Sequence, residues 1–155
     1  KKGKSHVLRI IRELVEFKGK SNKTDIGNAL KYVSNVLKKK AIVFVLSDFM
    51  DTDNDQTLKI AGKKHDVTGI RVYDKHDFEI PNLGMLPVLD SESGKQFLAN
   101  TMSKKVRNAY KANYLRSVDY FESSFSKSGS GIISTRIDES YVKKLLGYFK
   151  HKGSR

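Results

Sequence analysis

The sequence predicts a three-layer α/β fold, a mostly parallel sheet with helices on both faces, and three observations carry that prediction. The first is the unbroken apolar run Ala41-Ile42-Val43-Phe44-Val45-Leu46, which ends abruptly in Ser47-Asp48. A β-branched and aromatic run of this length reads as a strand buried on both faces, as in the middle of a parallel sheet. The second is the run Asp66-Val67-Thr68-Gly69-Ile70-Arg71-Val72-Tyr73, set apart from the first by a helical stretch. Two such strands should lie parallel, joined by a right-handed crossover. The third is the helical periodicity before, between and after these runs.

In chain order, Val7, Ile10, Ile11, Leu14 and Val15 share one helix face, which Gly19 with Lys20-Ser21-Asn22 ends. A second face follows at Ile26, Ala29, Leu30, Val33, Val36 and Leu37. Thr24 or Asn22 can cap its first turn, and Lys38-Lys39-Lys40 suits its negative C-terminal end. After the first strand and an acidic loop over residues 51–55, a short helix through Leu58, Ile60 and Ala61 leads to the second strand. Residues 74–94 hold Pro81, Pro87, Gly84 and Gly94 and read as loops around one short strand at 85–89. A long helix is expected over about 101–125, because Val106, Tyr110, Tyr114, Val118, Phe121 and Phe125 return to one face. Residues 126–131 break it, 132–137 form a last strand, and Asp138 caps a final helix whose buried face is Val142, Leu145, Leu146 and Phe149.

Length and charge set outer limits. At 155 residues with 38% hydrophobic content, residues 1–155 make one domain with a real core. The net charge of +13 is uneven: +9 over residues 1–40, −4 over 41–100 and +8 over 101–155. Acids thus gather around the end of the first strand, while bases lie on the flanking helices. Without cysteine, disulfides and thiolate metal ligands are excluded. No apolar run approaches a membrane span and no signal peptide follows Lys1-Lys2-Gly3-Lys4, so a cytoplasmic location is the default expectation. The chain opens almost directly on a helix pattern, without Met, and is expected to be a piece of something longer.

Asp48 is the leading candidate for a functional side chain, because ligands of open α/β sheets bind outside the carboxyl ends of the strands. Thr24, at the head of the helix feeding that strand, is its natural companion. Other chemistries fit less well. Asp51, Asp53 and Asp55 alternate like a calcium loop, yet Gln56 stands where the turn needs Gly and Gly62 where a bidentate Glu belongs. Ser47-Asp48-Phe49-Met50-Asp51 lacks the Asp-x-Asp of a haloacid dehalogenase. His6, His65, His76 and His151 show no ligand spacing and read as surface or loop residues. Nothing resembles a phosphate cradle or a nucleophile elbow, so no enzyme is expected, and a metal-assisted hydrolase is a distant alternative. Lys104, Lys105, Arg107, Lys111 and Arg116, interleaved with Tyr110 and Tyr114, admit a nucleic-acid-binding alternative; the bland reading, a solvated face over buried tyrosines, is preferred.

The order of Thr24-Asp25-Ile26, the strand ending Ser47-Asp48-Phe49-Met50-Asp51, the strand from His65-Asp66-Val67 to Val72-Tyr73-Asp74, and the loop ending Leu89-Asp90-Ser91-Glu92-Ser93-Gly94 resembles the later part of a von Willebrand factor A-like domain. The match is to the bacterial family called domain of unknown function fifty-eight, often encoded beside MoxR-type AAA+ ATPases. The resemblance implies a Rossmann-like fold and a metal-ion-dependent adhesion site built from an Asp-x-Ser-x-Ser loop, a Thr and an Asp. Thr24 and Asp48 match the last two roles, binding Mg²⁺ or another divalent cation through hard oxygen donors. No Asp-x-Ser-x-Ser occurs, and the family's first three strands would precede Lys1, so the set is incomplete and expected to be empty in these residues. The implied function is non-enzymatic protein binding through a metal ion, with a MoxR-type ATPase as partner. If those strands are missing, the strand at 42–46 becomes an edge with unpaired amides, and self-association there is expected.

Overall fold

The computed structural model describes residues 3–19, 24–50, 54–89 and 94–153. Asn22, Lys23, Asp51, Asp53 and the 90–93 part of the loop ending at Gly94 lie outside the described residues. The fold is α/β, as its sequence predicts. Helices α1 (Lys4–Glu16) and α2 (Ile26–Val36) precede strand β1 (Ile42–Ser47), helix α3 (Asp55–Lys64) and strand β2 (Asp66–Tyr73). A 3-10 turn at Lys75–Asp77, strands β3 (Met85–Leu89) and β4 (Gln96–Asn100), helix α4 (Lys104–Lys127), strand β5 (Gly131–Arg136) and helix α5 (Tyr141–Gly153) complete the order.

The main sheet has the order β1-β2-β5 and is parallel throughout, with Val43 beside Val67 and Gly69 beside Ile132. Helices α2, α3 and α4 cover one face. There Ile26, Leu30, Leu58, Ala61, Phe121 and Phe125 close over Val67, with Val43, Val45 and Ile132 partly buried against them. Gly69 lets α4 come down on the sheet: a Cβ there would stand 2.5 Å from Phe125 Cε1 and 2.7 Å from Phe121 Cε2. Helix α5 lies on the other face, where the Tyr148 and Thr68 hydroxyls meet at 3.0 Å and Lys152 donates to Asp66 at 2.6 Å. These are the three layers. Among the described residues no helix is long and apolar enough to cross a membrane.

Several expectations are corrected. Strand β1 is not buried on both faces: it is the edge of the sheet, with Val43, Val45 and Ser47 half-buried and Ile42, Phe44 and Leu46 exposed. Period-two contact follows from one covered face. The short strand at 85–89 is present and pairs with β4, which lies between the predicted loop segment and the predicted long helix, to form an antiparallel hairpin. Gln-Phe-Leu-Ala-Asn carries no β-branched residue to announce it. Helix α1 has the expected apolar stripe, yet none of its residues is buried. Helix α5 also buries no residue fully, and Val142, Leu146 and Phe149 of its expected buried face are exposed. Asp138 pairs with Arg136 rather than serving as the helix cap. His65 is not a surface histidine: it is 2% exposed, and its Nδ1 accepts the Ala41 N–H at 3.3 Å, tying the start of β1 to the end of α3.

Candidate functional site at the carboxyl rim of the sheet

Strand β1 delivers Ser47 and Asp48 to its carboxyl end, and α2, running back along the sheet, begins at the same end. Asp25 is the N-cap of α2, its Oδ1 accepting the Asn28 N–H at 2.7 Å. The cap expected of Thr24 or Asn22 is therefore made by their neighbour. Thr24 is exposed and lines, with Ser47, a groove of ≈ 330 Å³ between α2 and β1.

The turn after β1 is tightly specified. Asp48 Oδ1 accepts the Met50 N–H at 3.3 Å and the Ser47 hydroxyl at 3.3 Å, while Ser47 Oγ accepts the Phe49 N–H at 3.1 Å. Phe49 has φ of 56°, a left-handed conformation that costs a non-glycine residue about 1 kcal/mol. Its ring repays that strain by full burial, stacked on Phe121 with centroids 4.1 Å apart and edge-on to Phe125 at 5.2 Å. Asp48 is thus held at the rim by a neighbour rooted in the core.

Asp48 itself fronts a second hollow, of ≈ 140 Å³, shared with Met50, Tyr73, Asp77, Tyr110 and Tyr114. Nearby lies a residue that sequence reasoning missed. Arg71, 6% exposed, occupies an inward position of β2, its Nη1 donating to the Tyr114 hydroxyl at 2.6 Å and its Nε to Ser134 Oγ at 3.3 Å. Its guanidinium also lies 4.1 Å from the Tyr73 ring centroid, a cation–π contact. The only signal was a lone cation in the interior of a mostly apolar strand. Burial, then the charges of Asp77 and Tyr114, push the Tyr110 phenol above its usual pKa, and it donates to the His76 carbonyl at 3.4 Å. Asp74, capping the 3-10 turn, is held below the usual carboxylate range first by the His76 backbone N–H and then by its ring.

Thr24 and Asp48 therefore share the carboxyl rim and front different hollows. They offer two hard oxygen donors, one hydroxyl and one carboxylate, so the rest of a six-oxygen Mg²⁺ shell would fall to waters and further groups. Among the described residues no three His, Asp or Glu side chains converge as a metal cluster. Away from the rim, Tyr114 of α4 is buried as its periodicity predicts, whereas Tyr110 is 38% exposed. Lys104, Lys105, Lys111 and Arg116 are exposed, and Arg107 is turned back to the Thr101 and Met102 carbonyls, at 2.5 and 2.9 Å.

No solved structure matches the chain. A relative, the uncharacterized protein MAV169 of Mycobacterium avium, is 22% identical over 135 residues, which is 83% of this chain and 76% of that protein. The family model described as Protein of unknown function DUF58 matches residues 1–119, and the chain belongs to that family.

Proposed function

We propose that the chain is part of a non-enzymatic protein-interaction module of von Willebrand factor A type, working in the cytoplasm, which engages its partner through a divalent cation held in part by Thr24 and Asp48. The partner proposed is a MoxR-type AAA+ ATPase. The observation that carries this reading is the release of Thr24 from capping duty. A threonine at a helix start is ordinarily a cap; here Asp25 makes that bond, and Thr24 stands exposed in a groove that also contains Ser47, the residue before Asp48 in the chain. When bound, the cation supplies an electrophilic centre for a partner's carboxylate. The rest of its shell falls to waters and to residues beyond these two.

The test is a pull-down of a MoxR-type ATPase by the full-length protein, in Mg²⁺ and in EDTA. Capture should require the ion and fall at least about tenfold in Asp48→Ala, the loss of one charged ligand; capture indifferent to both would sink the reading. Exposed Lys104, Lys105, Lys111 and Arg116 favour nucleic acid as a second reading. It is weakened because the Tyr114 ring is buried and its hydroxyl engaged by Arg71, leaving no paired stacking platform on α4.

A further inference from the structure

The 3-10 turn at Lys75–Asp77 stands between two hollows. Asp77 lines the one that Asp48 fronts, while Lys75 and His76 line another, of ≈ 500 Å³. The rest of this second lining comes from residues 78–82, from Arg107 near the start of α4 and from Arg136 at the end of β5. No lining residue comes from β1 or from the elements before it. Its apolar part is anchored: Phe78 and Ile80 are half-buried, and the Phe78 ring lies against Tyr114 with centroids 6.0 Å apart.

The cations of this hollow are held without being neutralised. Arg107 uses only Nη1 for the Thr101 and Met102 carbonyls, and its Nε and Nη2 have no partner among the described residues. Thr101, which holds it, is fully buried and ties the base of the β3–β4 hairpin, accepting from the Leu83 N–H at 2.9 Å and donating to the Gly84 carbonyl at 2.7 Å. A guanidinium fixed by main-chain carbonyls keeps its whole charge and has little freedom left to lose. Lys75 is exposed and makes no ion pair among the described residues. Arg136 is paired with Asp138, and His76 with Asp74. Against Lys75, Arg107 and Arg136 the lining sets one acid, Glu79. Lys104 and Lys105 precede Arg107 in a first turn that holds no acid, a distribution that destabilises a helix start until an anion offsets it.

We propose that this hollow docks an acidic segment of a partner protein, an apolar side chain entering among Phe78, Ile80 and Pro81 while flanking carboxylates pair with Arg107 and Lys75. A carboxylate matches the planar fork of an arginine, and the Asn82 amide can pair with the backbone of the segment. Size agrees, because pockets of about 300–1,000 Å³ with an apolar lining and a few placed polar groups are those that seat a ligand. A nucleic-acid strand fits less well: Lys111 and Arg116 do not extend the lining into a cationic track, and Glu79 lies on it. This inference does not rest on the metal-dependent reading.

The test is fluorescence anisotropy of labelled peptides with the full-length protein, in EDTA and at low salt. The probe is Glu-Glu-Leu-Glu-Glu, set against its Gln-Gln-Leu-Gln-Gln counterpart. The acidic peptide should bind saturably and at least about tenfold more tightly than the neutral one. Lys75→Glu and Arg107→Gln should each weaken it about tenfold. Lys31→Glu makes the same change of charge as Lys75→Glu on the exposed surface of α2 and should leave affinity within about twofold, screened by the solvent. Lys75 is exposed and unpaired, so its variant decides the matter if Arg107→Gln fails to fold by circular dichroism. Absence of saturable binding, equal affinity for the neutral peptide, or equal losses in Lys75→Glu and Lys31→Glu overturns the proposal. So does a single-stranded RNA oligomer that displaces the probe at lower concentration than the unlabelled acidic peptide, the result expected of a nucleic-acid site. Since no Mg²⁺ is present and Asp48 is unaltered, failure here leaves the metal-dependent capture to stand or fall on its own.

Discussion

The two faces of the three-stranded sheet are made from the same strands and are held in different ways. On the closed face, Phe49, Phe121 and Phe125 form a triangle of rings with centroids 4.1 to 5.2 Å apart, all but excluded from water. Helices α3 and α4 are joined over it by the Ser124 hydroxyl on Asp55 and by Asn54 N–H on the Tyr120 hydroxyl, the latter at 3.1 Å. On the open face, Phe44 meets Phe149 edge-on at 6.0 Å, both rings remaining more than 40% exposed. Helix α5 is held there by polar ties, Tyr148 to Thr68 and Lys152 to Asp66, with no residue of its own fully buried. Apolar strand residues therefore state only a capacity for burial. What lies above them decides whether it is realised.

The sharpest way to break this contrast is to truncate a ring on each face. Phe121→Ala should cost about 3–5 kcal/mol, as for a buried aromatic, and Phe149→Ala no more than about 1 kcal/mol, read from urea unfolding. Equal costs would mean that the open face is covered in solution. A pair of glycines offers a smaller and cleaner comparison. Gly69→Ala drives a methyl into two packed rings and should cost about 1–3 kcal/mol. At Gly131 the added Cβ meets the Tyr148 phenol, the far end of a helix side chain, and stands 2.9 Å from the Thr68 hydroxyl, which can turn away once the Tyr148 contact is lost. Gly131→Ala should therefore cost only about 1 kcal/mol, roughly the hydrogen bond to Thr68, with near-ultraviolet dichroism reporting the displaced tyrosine.

The smallest effect is acid sensitivity of the closed face. The Ser124 hydroxyl, and after it the Tyr120 hydroxyl, holds the Asp55 carboxyl below its ordinary pKa. A depressed folded-state value means that the tie stabilises above the unfolded pKa and is lost as pH falls through the folded one. Ser124→Ala should thus shallow the decline of Tm below about pH 4, slightly, since the carboxylate is largely solvated.

Periodicity made most of the fold legible. The stripes at Ile26 to Val36 and Tyr114 to Phe125 and the runs of β1 and β2 declare themselves through spacing that survives without knowledge of partners. What could not be read was the partner of each stripe. Among the described residues, helix α1 and most of the expected buried side of α5 have sound apolar patterns yet stay largely exposed. Strand β4 stayed hidden because its pairing with β3, not its composition, makes it a strand. At the rim, Asp48 was legible as the polar end of an apolar run, and Thr24 by its place before a helix. The cap on Asp25, the buried Arg71 and the inward turn of Phe49 depend on three-dimensional neighbours that no local spacing encodes.

The left-handed turn at Phe49 has a mechanical consequence. Because that ring is wedged among aromatic neighbours, the peptide unit following Asp48 cannot swing without dislodging an interior side chain. The carboxylate meets whatever approaches it in an orientation set during folding, so little freedom remains to be lost at the moment of contact. Phe49→Gly would ease the backbone and unhitch it from its anchor, leaving a looser rim on a weaker protein.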